Sequence, residues 1–462
     1  MQVKRKLNIT FLVFIILLLL TVNVSSQVIT PKEAIEDLEH MVMRMEEVHP
    51  NLYFHLSKDK AQSKMEDIKA ALRTKQEWSS IEIYRLFAPF TASFKDGHTG
   101  VYIGDKFREY YDEGGQIFPF DIKFIDDKVL IDKNYSQQEL AFNTEILAIN
   151  DKEIDKIIDK IKDSISSENN IYAYAMMERQ FPVYLWAHFD FDGEYKLTLK
   201  DSIKGKYKIT IDGITKETRI NAKEKNDSEN WMLDFPREDS AYLTINTFNG
   251  RLKNSFERDI KKYFNDINKR DIQYLFIDIS ENGGGNTDLA KFLYEYFDDQ
   301  PYSLFKEVRM KYSEYAFRNQ TSFFTKLYYS FKKDRDNMIV FQSDQVKPKD
   351  NDLRFNGKVY VITSNFTFST ATDFAAIVKD HNTGNIVGEE TGGLASCYGD
   401  VIRDKLPNSE LSFGVSYKYF LRPAGFDNGR GVQPDIELDI GKLKYSYDRE
   451  GYQNMVIKSI IY

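Results

Sequence analysis

The sequence predicts a multidomain α/β protein, and three observations carry that expectation. From about residue 238 onward, short apolar runs alternate with stretches of helical periodicity, the pattern of βαβ units around a mostly parallel sheet. Between about 115 and 165 the pattern changes to short strands followed by a helix, which marks a smaller strand-rich module, while 166–235 is harder to read. A chain of 462 residues, at roughly 100–200 residues per domain, has room for two or three separate cores.

Composition removes several function classes. Hydrophobic residues make up 42% of the chain and aromatics 14%, so it is neither disordered nor of low complexity. The single cysteine, Cys397, excludes an intramolecular disulfide framework and a cysteine-built zinc or iron–sulfur site. A net charge of −8, with no basic stripe and no Walker-type loop, argues against nucleic acid as a partner. The expectation is a soluble, multidomain enzyme.

The first 26 residues stand apart. Lys4, Arg5 and Lys6 precede an apolar run from 11 to 20, and Val24-Ser25-Ser26 offers a cleavage site before Gln27. That is the three-part pattern of a secretory signal peptide, with a retained N-terminal anchor as the rival reading. Export with one thiol suggests an extracytoplasmic enzyme, periplasmic or secreted, that does not rely on disulfides.

Residues 31–92 read as helical. Thr30 is an N-cap, Pro31 suits the first helical position, and Glu33 completes a capping box. Ile35, Leu38, Met41, Val42 and Met45 follow at helical spacing, with further amphipathic stretches at 58–72 and 79–90. His40, His49 and His55 lack an HExxH arrangement and read as surface or satisfied side chains. Strands follow at 118–125, 128–132 and 144–149, then a helix at 154–165. With the Glu145-Ile146-Leu147-Ala148-Ile149-Asn150-Asp151 turn, this order resembles a PDZ-like module, in which a chain end adds to a sheet edge. Asn143 stands where a glycine is usual, and no carboxylate-binding glycine loop is evident, so a tail-binding site and a degenerate spacer both stay open. Residues 195–199 and 207–211 alternate as hairpin strands, and 216–230 is a polar connector. The catalytic part then runs strand 241–245, helix 254–268, strand 274–279, helix 289–297, strand 358–363, helix 370–379 and strand 385–388. The expected organisation is a signal peptide over 1–26, a helical region over 27–108, the PDZ-like domain and connector over 109–235, and a catalytic α/β domain over 236–462.

Three segments carry chemistry. Asp96-Gly97-His98-Thr99 presents a histidine from a turn. In Asp278-Ile279-Ser280-Glu281-Asn282-Gly283-Gly284-Gly285, an apolar strand runs into glycines whose backbone N–H groups can converge on a small anion. Ser369 lies where a strand gives way to a helix, so its hydroxyl can attack a carbonyl while the helix N-terminus stabilises the oxyanion. The competing reading is a helix cap: Ser or Thr is standard there, and Thr370 with Asp373 spells a capping box.

Together these segments resemble the tail-specific, C-terminal processing serine peptidases, and more closely the tricorn-core-like branch that uses a histidine. The family's Asp-Gly-His-Thr turn is intact as Asp96–Thr99. Its Asp-x-Arg-x-Asn-x-Gly-Gly strand end is matched by Asp278, Asn282, Gly284 and Gly285, with Ser280 in place of the Arg. Its nucleophile segment falls on Thr367–Ala375, with Thr372 in place of a Glu. Gly388-Glu389-Glu390-Thr391-Gly392-Gly393 and Gly431-Val432-Gln433-Pro434-Asp435 also fit. The sister branch has a lysine about 25 residues past its serine; the corresponding Thr391–Ala395 stretch has none.

The resemblance implies a ClpP/crotonase-like α/β peptidase core and hydrolysis of peptides or proteins. Ser369 would be the nucleophile and His98 the base, with backbone N–H groups at Gly284 (or Gly285) and Thr370 as the oxyanion hole. The family's acid falls nearest Asp427; Asp435, Glu389 and Asp96 are rivals. No metal or organic cofactor is implied. The alternative is a catalytically inactive protein on the same scaffold that binds peptides or apolar ligands.

Overall fold

The computed structural model describes residues 28–191, 193–222, 229–317 and 337–461. The signal-peptide segment lies outside them. Among the described residues no helix is long and apolar enough to cross a membrane.

The N-terminal region forms as its caps dictate. Thr30 accepts from Glu33 N–H and Glu33 closes the box at the head of α1 (Pro31–Val48). Ser57 caps α2 (Lys58–Leu72), and Ser79 with Glu82 makes a second capping box on α3 (Ser80–Ala92). The chain then makes β1 (Gly100–Tyr102) and α4 (Gly104–Asp112).

The strand-rich module has one sheet in the order β2-β3-β4-β6-β7: β2 (Phe120–Ile125), β3 (Lys128–Asn134), β4 (Glu145–Ile149), β6 (Glu194–Asp201) and β7 (Gly205–Asp212), with β5 (Lys152–Glu153) on β4. Asn143 adopts φ +62°, so an asparagine supplies the left-handed turn expected of a glycine. After α5 (Ile154–Lys162) comes a helix that the sequence pattern does not announce, α6 (Asn170–His188). It buries several sides at once, carries Pro182, and kinks at Gln180, so it shows little amphipathic period. Ala173, Met177, Phe181 and Leu185 pack with Phe120 and Ile122 of β2 and with Ile157, Ile158 and Ile161 of α5. Helix α6 thus fills the space beside the β2 edge, and Glu178 accepts the outward Phe124 N–H at 2.7 Å. The polar segment expected to be a connector begins instead as α7 (Lys216–Ala222).

The catalytic sheet has the order β17-β14-β13-β10-β9-β8. Its strands are β8 (Trp231–Arg237), β9 (Ser240–Ile245), β10 (Tyr274–Asp278), β13 (Lys358–Thr363), β14 (Asn385–Gly388) and β17 (Ile436–Glu437). All neighbours are parallel except β8 with β9. Leu275 and Ile277 face α8 (Lys253–Asn268), α9 (Thr287–Tyr294) and α11 (Thr370–Asp380). Phe276 faces the opposite layer, where α12 (Ile440–Ser446) and α13 (Arg449–Ile461) contribute Ile440, Tyr452 and Val456. A third, antiparallel sheet has no counterpart among the sequence expectations. It joins β1 to β16 (Ser412–Leu421), β11 (Glu307–Lys311) and β12 (Met338–Gln342), with β15 (Cys397–Lys405) on β16. Short α10 (Glu314–Phe317) follows β11. Because β1 pairs with β16, the histidine turn is tied to the C-terminal half of the chain.

Candidate active site

The turn after α3 is built around Asp96. Lys95 takes φ +55°, and the buried Asp96 carboxylate then accepts from four donors. His98 N–H reaches Oδ1 at 2.9 Å; His49 Nε2 (3.1 Å), Thr99 Oγ1 (2.5 Å) and Ser416 Oγ (2.6 Å) reach Oδ2. His49 Nδ1 accepts from Asn51 N–H at 3.0 Å, which leaves its proton on Nε2 for Asp96. Burial alone would raise the Asp96 carboxyl, but the His49 hydrogen bond, the nearby imidazoles and Ser416 outweigh it and hold the group well below the usual carboxylate range. Asp96, a rival for the catalytic acid, is therefore the anchor of the turn.

Ser369 stands at the N-cap of α11 but does not cap it. Its φ is +54° and its hydroxyl makes no bond to the helix; instead Oγ lies 3.1 Å from His98 Nε2. A strained, non-glycine elbow at a strand–helix junction aims the hydroxyl outward. Helix capping is thus the reading that fails at this position. Thr372, in place of a family Glu, turns its hydroxyl onto the Thr367 carbonyl at 3.1 Å. The His98 ring stacks on Phe368 (4.5 Å between centroids), which stacks on Tyr172 of α6 (4.1 Å, 8° between planes). Burial keeps the imidazole below the usual histidine range, against the pull of Asp96 and Asp400, so it is a neutral base at pH 7. No lysine hydrogen-bonds to Ser369 among the described residues.

The glycine loop closes over the serine. Gly284 adopts φ +98°, and a Cβ there would lie 2.7 Å from Ser369 Cβ. Its N–H, however, donates to Asn282 Oδ1 at 2.9 Å. Of the two glycines, it is the Gly285 amide that donates to no group among the described residues. Thr370 Oγ1 donates to the Gly285 carbonyl at 3.0 Å, joining this loop to the first turn of α11, where the Thr370 N–H has no intrahelical acceptor. Ser280, in place of the family's Arg, donates to the Asp278 carboxylate and receives Lys444 Nζ from α12 at 2.6 Å, so a cation returns to this spot from a distant helix. A cleft of about 1950 Å³ between the PDZ-like and catalytic sheets borders Gly283, Gly284 and Phe366.

The structure does not bring Asp427 to His98. Its carboxylate accepts from the Tyr419 hydroxyl at 2.5 Å and the Gly429 N–H at 2.8 Å. The other rivals are also engaged: Glu389 receives the Asn365 and Gly441 amides, and Asp435 receives Lys379 and the Ile386 amide. The acid that lies against the histidine turn is Glu168, just before α6, in a polar Ser-Ser-Glu-Asn-Asn stretch that reads only as a loop. A Cβ on Gly97 would lie 2.7 Å from Glu168 Oε2. Burial, with the Asp96 charge adding, pushes the Glu168 carboxyl up to about 8. One oxygen each from Asp96 and Glu168 and a ring nitrogen of His98 lie within 4.8 Å of one another. Those atoms could gather around a cation, but Asp96 already spends both oxygens on hydrogen bonds.

A serine and a neutral imidazole in contact at the end of a parallel sheet, beside the Gly285 and Thr370 amides, have the make-up of a serine hydrolase. Residues 239–438 match the family model described as Peptidase family S41, and residues 114–228 match that of the PDZ domain. The chain is a serine peptidase, with residues 239–438 similar to that tail-specific family. Among solved structures it is similar to mature CPAF, with a TM-score of 0.68 at 15% identity over 93% of this chain and 96% of that one. It is likewise similar to mature CPAF complexed with lactacystin, with a TM-score of 0.69 at 15% identity over 93% and 97%. No curated protein matches the chain.

Proposed function

We propose that peptide bonds are cleaved by Ser369 with His98 as general base. The 3.1 Å contact between Oγ and Nε2, made by a serine that withholds its hydroxyl from its own helix, is the observation that carries this reading. Oγ attacks the scissile carbonyl, its proton passes to Nε2, and the imidazolium returns that proton to the leaving amine. The Thr370 and Gly285 amides receive the oxyanion, and each such donor contributes about 3 kcal/mol in serine peptidases. A ligand-binding protein without catalysis is not favoured, because both reactive side chains are retained and in contact. The test is Ser369→Ala beside the parent on a peptide library, with fluorophosphonate labelling of both. Turnover by the mutant, or a parent that does not label, removes the serine mechanism.

The site of action follows from the leader. The basic start, apolar run and small-residue junction before Gln27 support export and an extracytoplasmic enzyme. N-terminal sequencing of protein from a fractionated cell tests this: a chain starting near Gln27 outside the cytoplasm agrees, and a cytoplasmic chain starting at Met1 does not.

A further inference from the structure

Helix α6 brings to the active site one group for which the reaction above has no use. A His98 that takes a proton at Nε2 must carry its own proton on Nδ1. That Nδ1 is buried with no side-chain acceptor, and the buried Glu168 carboxyl has no side-chain donor, only the Gly97 amide and its own amide beside it. A donor and an acceptor without side-chain partners thus share one buried cluster, in which an oxygen each of Asp96 and Glu168 and a ring nitrogen of His98 lie within 4.8 Å of one another. Buried polar groups are nearly always paired, and hydrogen bonds of catalytic groups are often long before substrate binds.

We propose that Glu168 is the positioning residue of His98: its carboxyl accepts the Nδ1–H and holds the ring with Nε2 turned to Ser369. This rests on His98 being the base. The other acids near the site are committed elsewhere: Asp96 to four donors, Asp427 to Tyr419 and Gly429, Glu389 to two amides, Asp435 to Lys379 and Ile386. The Tyr398 carbonyl stands beside the ring and favours its charged form, but it makes no close, well-aligned bond to Nδ1.

Glu168 is held firmly enough for the role. The next residue, Asn169, caps α6 by accepting from Tyr172 N–H, and its Nδ2 donates to the Gly392 carbonyl at 3.0 Å. Tyr172 then lies flat on Phe368, whose other face carries the His98 ring. The absence of a side chain at Gly97 lets the turn sit directly on Oε2. The PDZ-like module thereby contributes to the active site through the residue that precedes the α6 cap.

No proton is transferred to Glu168 in the acylation step. The bond from Oγ to the carbonyl carbon forms, the Oγ proton goes to Nε2, and Nδ1–H stays on the ring within reach of a Glu168 oxygen. The titratable groups around that carboxyl are Asp96 and His98 from the turn, Tyr172 from α6 and Cys397 from β15. With its titration near pH 8, Glu168 is a neutral acceptor at pH 7. Above pH 8 it becomes a carboxylate that further stabilises the imidazolium.

The rate constant for fluorophosphonate labelling of Ser369, measured from pH 5 to 10 on the full chain, needs no knowledge of the substrate. Labelling by the parent should rise again between pH 7 and 9. Glu168→Gln, which keeps an acceptor oxygen but not the titration, should lose that second rise. Glu168→Leu should label at least tenfold more slowly at all pH values, and Glu168→Asp should keep the rise. A Glu168→Gln profile that superimposes on the parent's overturns the proposal. If melting curves show that Glu168→Leu does not fold, the near-isosteric Gln variant decides alone. Labelling that is blocked by Ser369→Ala but indifferent to Glu168 leaves Ser369 and His98 standing and removes only Glu168; no labelling of the parent removes the mechanism on which this rests.

Discussion

Thr30 and Ser369 are both hydroxyl residues at helix N-caps, and they do opposite things. Thr30 sits in ordinary extended backbone at φ −74°, accepts from Glu33 N–H, and donates its own N–H to the Glu33 carboxylate in return. Ser369 sits at φ +54°, and its hydroxyl bonds nothing in its helix and points at His98. The two segments look alike as strings of residues. The difference lies in what surrounds them. Thr30 is exposed and free to adopt the conformation its helix prefers. Ser369 is pinned against Gly284, where a Cβ would lie 2.7 Å from its own, and by the Asn282 carbonyl, which accepts the Phe368 N–H. A cap stabilises its helix where the backbone is at liberty to choose; under tertiary constraint the same hydroxyl becomes available for chemistry.

Ser369→Ala should test that contrast most sharply. Peptidase activity should fall by on the order of 10⁴-fold or more, while the urea midpoint stays near the parent's, since no cap is lost. A large loss of stability would make Ser369 a cap after all.

Asp373, which spells a capping box with Thr370, is instead buried. Burial, with Asp400 adding, pushes its carboxyl from 3.8 up to about 8. The folded chain therefore keeps a proton that the unfolded chain releases, and stability from this group declines as pH rises from about 4 to 8. Each pH step across that window costs about 1.4 kcal/mol, so the whole decline is on the order of a few kcal/mol. Asp373→Asn should remove this slope, read by urea unfolding at pH 5 and pH 8; equal slopes would mean that water reaches the carboxyl.

The pH dependence of kcat/KM should separate the two hydroxyls by function. With the His98 imidazole held below 6.5, activity persists as pH falls through 6.5 and drops only below it; a fall centred at or above 6.5 would place the base in water.

The smallest effects concern the backbone and the true cap. Ser369→Gly should be as inactive as Ser369→Ala but about 1 kcal/mol more stable, because glycine adopts positive φ without strain. Thr30→Ala should cost about 1 kcal/mol of stability and no activity.

Legibility followed the range of the interactions. The caps of α1 and α3, the ends of β13 and β14, and the pairing of Asp96–Thr99 with Ser369 are written in short motifs. Helix α6 is invisible in the sequence because burial on several sides erases its period. The antiparallel sheet is equally hidden, because β1, β11 and β16 are joined across hundreds of residues. The same holds for the acids. Asp427 lies in a recognisable segment yet turns to Tyr419, whereas Glu168 lies in a segment with no pattern and is carried to the histidine by a helix.

By itself, then, the sequence marked the groups of the proposed chemistry: a serine, a histidine and a glycine loop in short local motifs, with one thiol and no cysteine-built metal site to compete. It did so because those groups need local backbone geometry that only certain residues allow. The tertiary structure decided which hydroxyl is withheld from its helix, which glycine keeps its amide free, and which carboxyl packs against the histidine turn. Burial and hydrogen-bond partners set those choices, and both come from segments far apart in the chain.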